Sequence, residues 1–196
     1  MGQGITFCTV CASNNNRSMV AHLTLKNAGF NVSSYGTGSA VRMPGPSANK
    51  PVVYPFGTPY NDMYHELEQI DQRLYTANGV LMMLDRNRQI KDHPERWHEK
   101  DPTKIFDVVF TCEERCFDAV CQDLLQRGTK LNRMVHVINV EIKDNHEEAV
   151  VGGKGILELA NMLVEDKDVD SNIMDILTKW QDAHKGLPIL YQTCFF

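Results

Sequence analysis

No apolar run in this sequence approaches the roughly 20 residues that a membrane-spanning helix needs, so a transmembrane protein is not expected. Basic residues are not in excess: 20 Lys and Arg stand against 25 Asp and Glu, for a net charge of −5. A general nucleic-acid binder would show a basic stripe and is excluded on that balance, whereas a peptide substrate is not. The six cysteines, Cys8, Cys11, Cys112, Cys116, Cys121 and Cys194, form no dense framework. Residues 1–4 are polar, and the apolar run after them is too brief for a signal peptide. The expectation is a soluble chain with free thiols in a reducing compartment, cytosol or nucleus. Gly2 and Thr6 fit the minimal myristoylation pattern, but residues 5–10 already read as a buried strand, so the match is taken as chance. There is no internal repeat and no domain linker. A chain of 196 residues suits one α/β domain, 1–196, and buries about 70% of its unfolded surface.

The residues present alternate between strand and helix signals. ITFCTV is β-branched, aromatic and uncharged, a short buried strand. A helix is expected over 17–27, stopped by Gly29, and FNVSSYGTG reads as a second strand ending in a glycine turn. The stretch MPGPSANKPVVYPFGTPY then holds Pro44, Pro46, Pro51, Pro55 and Pro59, five of the eight prolines. Proline removes donors and fixes φ, so a long, partly rigid loop is expected, ordered by Tyr54, Phe56 and Tyr60. Tyr60, Met63, Tyr64, Leu67, Ile70 and Leu74 recur at mostly helical spacing, ending near Asn78 and Gly79, and a second helical segment covers 80–91. Residues 44–91 thus read as an insertion. DHPERWHEKDP reads as a polar, solvated connection.

FDVVFT is a third strand, followed by a helix over 113–127 with Phe117, Val120, Cys121, Leu124 and Leu125 on one face. MVHVINVEI is a fourth strand, KDN the loop after it, and 147–165 a helix whose glycines weaken its first turns. A last helix over 172–184 and a terminal strand in LPILYQTCFF complete an α/β pattern with a mainly parallel sheet.

The segment VCASNNNRSM joins the first strand to the first helix. A phosphate dianion needs several donors converging on one point, which a curled loop entering a helix N-terminus provides. Asn14, Asn15 and Asn16 tolerate the unusual backbone geometry such a curl demands. Arg17 offers a planar fork for two phosphate oxygens, which lysine does not. Cys11 stands at the start of the loop. A thiol attacks as its thiolate, a form favoured by a helix N-terminus and a nearby arginine, and Ser18 is placed to donate to it. Phosphoryl transfer needs little beyond positioning and charge neutralisation.

CASNNNRS resembles the cysteine–x5–arginine–serine loop of the low-molecular-weight protein phosphatase superfamily. SYGTGSAVRMPGP, GVLMMLDRNRQIK, FDVVFTCEER and HVINVEIKDNHEEA narrow the resemblance to the eukaryotic RNA polymerase II C-terminal-domain phosphatases, over nearly the whole chain. The resemblance implies a three-layer α/β fold of the low-molecular-weight phosphatase type, a flavodoxin-like wound sheet. It implies a serine phosphatase without cofactor or metal. Cys11 would be the nucleophile that forms a phosphocysteine, Arg17 the phosphate clamp and Ser18 the support of the thiolate. Ala12, Ser13, Asn14, Asn15 and Asn16 would form the phosphate loop.

Asp144 matches the general acid that protonates the leaving serine and then activates water. As a residue just before a helix it is equally a candidate N-cap, and spacing does not separate the two roles. Glu141, read as lying in the strand, is a weaker rival, and it replaces an aspartate expected in this family. Met43, Pro44, Gly45 and Pro46 match the segment beside the substrate cleft. Tyr75, Met83 and Asp85 fall in the matching helical insertion, where Met82, Met83 and Leu84 fit core or lid packing equally well. The substrate implied is the polymerase tail carrying phosphoserine before a cis proline, a minority peptide isomer. The residues around Asn49 and Val52 depart from the family segment.

The implied setting is the nucleus, in mRNA 3′-end processing and transcription termination, with a symplekin-type scaffold as partner and no direct contact to nucleic acid or membrane. Two other functions share the motif: an arsenate-reductase-like thiol oxidoreductase, with Cys112, Cys116 and Cys121 as relay candidates, and a non-catalytic phosphopeptide scaffold. Cys8 and Cys11 form a C-x-x-C pair, for which zinc lacks two further ligands. Cys8 is expected to pack in the strand, with a protective disulfide to Cys11 as the alternative.

Overall fold

Short β-branched runs separated by amphipathic helices dictate how this chain folds, and the computed structural model, which describes residues 4–196, shows the result. In chain order, β1 (Thr6–Cys11), α1 (Arg17–Asn27) and β2 (Asn31–Gly36) come first. The insertion supplies β3 (Val41–Ser47), β4 (Lys50–Tyr54), α2 (Tyr60–Ala77) and α3 (Val80–Arg88). After a single 3-10 turn at Trp97–Glu99 follow β5 (Val108–Thr111), α4 (Glu114–Arg127), β6 (Met134–Val140), α5 (His146–Glu165), α6 (Val169–Ala183) and β7 (Ile189–Phe195). No helix among the described residues is long and apolar enough to cross a membrane. Gly2 of the myristoylation pattern lies outside the described residues.

The main sheet has the order β2-β1-β5-β6-β7. Its first four strands are parallel, and β7 runs antiparallel to β6. Counting only these strands, this is a flavodoxin-like 2-1-3-4-5 order, as expected. The chain winds from β1 outward in both directions, so a crevice opens at the carboxyl ends of β1 and β5. Side chains alternate across the sheet. Phe7, Phe110 and Ile138 pack on one face under Leu25, Leu159 and Trp180 of α1, α5 and α6. Cys8, Val10, Val109 and Val137 pack on the other, against Trp97 and the Phe117, Val120 and Leu124 stripe of α4. A third cluster ties the insertion to the sheet domain: Met19 of α1 is buried with Met43, Tyr60, Met63, Leu67 and Leu84.

Several expectations need correction. The proline-rich segment is not a loop but a two-stranded antiparallel ribbon, β3 against β4, irregular between Met43 and Ser47. Proline is tolerated because both strands of a two-stranded ribbon are edges, and the irregular pairing leaves positions that need no donor. The connection around residues 91–101 is not a solvated face: Trp97 is fully buried and its Nε1 donates to Asp123 Oδ2 at 2.8 Å. Leu125 is 81% exposed and lies off the buried stripe of α4. The second insertion helix ends at Arg88, and α6 begins earlier than its apolar pattern, at Val169, behind the Asp168 cap. The glycines of α5 mark close packing: a Cβ on Gly152 would collide with Ile142 Cδ1, and one on Gly153 would stand 3.1 Å from Val20 Cγ1.

Candidate active site

The carboxyl end of β1 delivers Cys11 to the mouth of the crevice, and the chain curls through residues 12–16 before α1 begins. Asn14 carries the curl at φ 53, a left-handed conformation that asparagine tolerates better than most residues. Asn16 precedes α1 and its side chain accepts no hydrogen bond from the first turn, so the first N–H groups of the helix stay open.

The carbonyls of the loop are taken from outside. Thr37 N donates to Cys11 O at 3.0 Å and Gly38 N to Ala12 O at 2.9 Å. Tyr60 Oη donates to Asn14 O at 2.5 Å, and Arg86 Nη2 and Asn87 Nδ2 donate to Asn15 O at 2.7 and 2.8 Å. Across a trans peptide the carbonyl and the next N–H point opposite ways. Holding these four carbonyls outward therefore turns the N–H groups of Ala12, Ser13, Asn15 and Asn16 inward. None of the backbone N–H groups of residues 13–17 donates to a protein acceptor among the described residues. Gly36 and Gly38 make the approach of β2 possible: a Cβ on either would meet Ala12 O at 2.7 or 2.9 Å.

At the base of the loop Cys11 Sγ and Ser18 Oγ are 2.9 Å apart. Asn14 Nδ2 donates to Ser18 Oγ at 3.0 Å, and Asn14 Oδ1 accepts from Glu95 N at 3.0 Å. With a serine lone pair occupied by that amide, the hydroxyl proton is free to serve a thiolate, which can only accept.

Arg17 is 4% exposed. Its Nη1 donates to Ile142 O at 3.0 Å and its Nη2 pairs with Glu113 Oε2 at 2.7 Å. Its Nε is buried, makes no hydrogen bond, and stands 3.5 Å from Asp144 Oδ1. Burial disfavours the guanidinium charge, but Cys11, Asp144, Cys112 and Glu113 around it outweigh burial and hold it above the ordinary arginine value.

Asp144 is exposed on the loop after β6 and accepts from Asn16 Nδ2 at 3.1 Å. It is not the cap of α5. That position belongs to Asn145, whose Oδ1 accepts from Glu148 N at 2.8 Å. Glu141 lies one residue beyond β6, and its carboxylate is already engaged, accepting from Glu114 N at 3.1 Å and Asn139 Nδ2 at 3.0 Å.

These groups share a cleft of about 240 Å³. Cys11, Ser13, Asn15, Asn16, Arg17 and Asp144 line it together with Met43, Pro44 and Met83. Ala12, Asn14 and Ser18 support the loop from behind. Gly45 and Pro46 lie further along β3 and do not reach the cleft; Tyr75 is buried in the insertion, Asp85 pairs with Arg88 at 2.6 Å, and Met82 is exposed. Sequence reasoning missed Arg42, Asn78, Val80, Asn145 and His146 in the lining. It also missed Glu113, Glu95, Arg86 and Asn87, which act through Arg17 and the loop. Only Glu113 left a trace, a carboxylate just beyond a strand at the carboxyl end of the sheet; the others are far from the motif in sequence.

The remaining thiols are buried. Phe7, Thr9 and Cys11 face one side of β1 and Cys8 the other, so Cys8 and Cys11 occupy separate clusters. Three residues of extended strand span about 10 Å, beyond disulfide reach. Burial raises the Cys8 and Cys112 thiols above the ordinary range and takes Cys116 to about 12. A relay to Cys11 would have to start from protonated, enclosed sulfurs. His136 is structural, bonded to Tyr191 Oη and Asp170 Oδ1 at 2.8 Å each.

The profile of the Ssu72-like protein family matches residues 5–196. The RNA polymerase II C-terminal domain phosphatase SSU72 of Candida glabrata is 59% identical over 99% of this chain and 98% of its own. The mouse protein of the same name is 46% identical over 95% of each chain. The crystal structure of Drosophila melanogaster Ssu72 with symplekin, bound to a cis peptidomimetic CTD phosphoserine peptide, is 40% identical, with TM-score 0.94 over the whole of both chains.

Proposed function

Because the chain belongs to the Ssu72-like protein family, we propose that it is a cysteine-dependent protein phosphatase that removes phosphate from phosphoserine in the C-terminal tail of RNA polymerase II. The observation that carries this reading is the convergence of Cys11, Arg17 and Asp144 on one cleft beneath a loop whose N–H groups face inward. The phosphate dianion sits in the loop, with Arg17 Nε and the inward N–H groups as donors. The Cys11 thiolate, held by Ser18, attacks phosphorus. Asp144 gives its proton to the leaving serine oxygen, so that a sulfur–phosphorus bond replaces the oxygen–phosphorus bond. Asp144, now a carboxylate, takes a proton from water as that water attacks the phosphocysteine, releasing inorganic phosphate and the thiolate. The position of Asp144, 3.5 Å from Arg17 Nε and free of the capping role, supports this assignment.

Met43 and Pro44 on the ribbon and Met83 on α3 form an apolar wall, suited to the proline that follows the phosphoserine. The relative from Drosophila melanogaster, bound to a cis peptidomimetic, supports a cis turn at that proline. Nuclear location, action in mRNA 3′-end processing and docking on a symplekin-type scaffold belong to the same proposal; the relatives named for RNA polymerase II support the first, and the Drosophila complex with symplekin the last.

Phosphate release from a tail phosphopeptide, in chelator, tests the reading. Cys11→Ser is expected to abolish release, and Asp144→Asn to lower kcat by about 10²–10⁴-fold, the usual worth of a general acid. Full activity in Cys11→Ser would overturn the nucleophile assignment; unchanged kcat in Asp144→Asn would overturn the acid.

A further inference from the structure

The insertion that walls the cleft also reaches behind it, to the phosphate loop. Arg86 and Asn87, in the last turn of α3, form a closed triangle with Asn15 O. Both donate to that carbonyl, while Arg86 Nε and Nη2 donate to Asn87 Oδ1 at 3.0 and 2.9 Å. Asn87 is fully buried, and every polar atom of its side chain is used. Tyr60, at the start of α2, donates to the neighbouring carbonyl of Asn14 and is likewise buried.

We infer that Arg86 and Asn87 are positioning residues for the phosphoryl-transfer step: by pinning Asn15 O outward they aim the Asn16 N–H at the transferring phosphoryl group. Tyr60 does the same for the Asn15 N–H. The inference rests on the phosphatase reading given above. It follows from peptide planarity, since a peptide plane held at its oxygen is held at its N–H. An N–H preset toward the equatorial oxygens stabilises charge in the transition state without reorganisation. Burial lowers Arg86 to about 10, so it remains a cation at neutral pH and adds positive charge behind the loop. Met83 lines the substrate cleft, and one turn later on the same face of α3 Arg86 and Asn87 grip the loop. The same helix thereby joins peptide binding to loop geometry.

The test compares wild type with Asn87→Ala, Arg86→Ala, Arg86→Lys and Tyr60→Phe. Steady-state kinetics on the tail phosphopeptide and calorimetric binding of vanadate and inorganic phosphate are measured, alongside thermal melting. The expected result is a fall in kcat of roughly tenfold or more in Asn87→Ala and Arg86→Ala with peptide KM little changed. Vanadate, which mimics the five-coordinate transition state, should lose more affinity than phosphate. Arg86→Lys, which keeps one donor for Asn15 O, should recover most of the loss. Tyr60→Phe removes a single hydroxyl from an otherwise unchanged core and keeps the test alive if Asn87→Ala does not fold; it should show the same kcat and vanadate signature. Unchanged kcat and vanadate affinity in folded variants would overturn the inference, as would a rise in KM at constant kcat. The anion-binding arm separates this from failure of the parent reading. If wild type binds vanadate but releases no phosphate from the peptide, the phosphatase reading fails while the clamp is still tested by vanadate affinity. If wild type binds neither anion, both are overturned.

Discussion

Charge placement around individual side chains sets the chemistry of this cleft. Arg17 is buried yet keeps its charge because Cys11, Asp144, Cys112 and Glu113 surround it. Of the two carboxylates, Glu113 makes the shorter contact, and with Ile142 O it fixes the plane of the guanidinium. His22 shows the opposite balance. It is buried against Ser34 Oγ at 2.8 Å, and burial, with Lys91 and Lys26 adding to it, lowers its proton affinity from 6.5 to about 4. A histidine held neutral in the folded state binds its proton more readily once unfolded, so its stabilising contribution is complete above the unfolded value of 6.5 and is lost as pH falls from 6.5 through 4. The loss is up to about 3 kcal/mol. Denaturant unfolding at pH 7, 5.5 and 4 is expected to show it in wild type, and His22→Gln should flatten the profile over that window. An equally steep profile in His22→Gln would assign the loss to other groups.

The ribbon β3–β4 is the element whose geometry was least foreseeable. Gly45 carries it: a Cβ there would overlap Lys50 O, a contact no rotamer relieves because the atom is backbone. Gly45 does not line the cleft, although Met43 and Pro44 beside it do. Its contribution to the substrate is therefore the closure of the ribbon. Gly45→Ala is expected to raise KM for the phosphopeptide by about tenfold, equivalent to ~1.4 kcal/mol of lost ground-state binding. Turnover of a small aryl phosphate, which needs only the loop, should be preserved. Equal damage to both substrates would place Gly45 in the support of the loop instead. At the loop itself the element and the motif coincide. The cysteine–x5–arginine–serine spacing was readable because one strand end, one curl and one helix start are contiguous in the chain.

Across the whole molecule, two cores lie on opposite faces of one sheet and a third joins the insertion to α1. We expect residues 4–196 to unfold as one unit, because the carbonyls of the loop are held together by donors from the turn after β2 and from α2 and α3. Trp180 reports the face covered by α5 and α6, and Trp97 the face covered by α4. The single-tryptophan variants Trp97→Phe and Trp180→Phe should give coincident fluorescence and circular-dichroism transitions in denaturant; separated midpoints would show independent units. The α/β alternation and the Cys11–Ser18 loop were legible in the sequence, since each rests on local periodicity or contiguous spacing, while the wound order was implied by the family resemblance. Asp144 was legible in the sequence as a candidate with two physically sensible roles, and only the structure shows that the cap of α5 belongs to the neighbouring Asn145. The ribbon escaped because proline vetoes a central strand but not a pair of edges. Tyr60, Arg86, Asn87, Glu95 and Glu113 lie 35 or more positions from the motif in the sequence, and nothing in their local pattern announces which carbonyl or guanidinium they will meet. Sequence by itself determined the fold and the contiguous loop that places Cys11, Arg17 and Ser18 together; the tertiary structure alone decided where the loop's N–H groups point, because that direction is set by hydrogen bonds from residues the chain brings back only on folding.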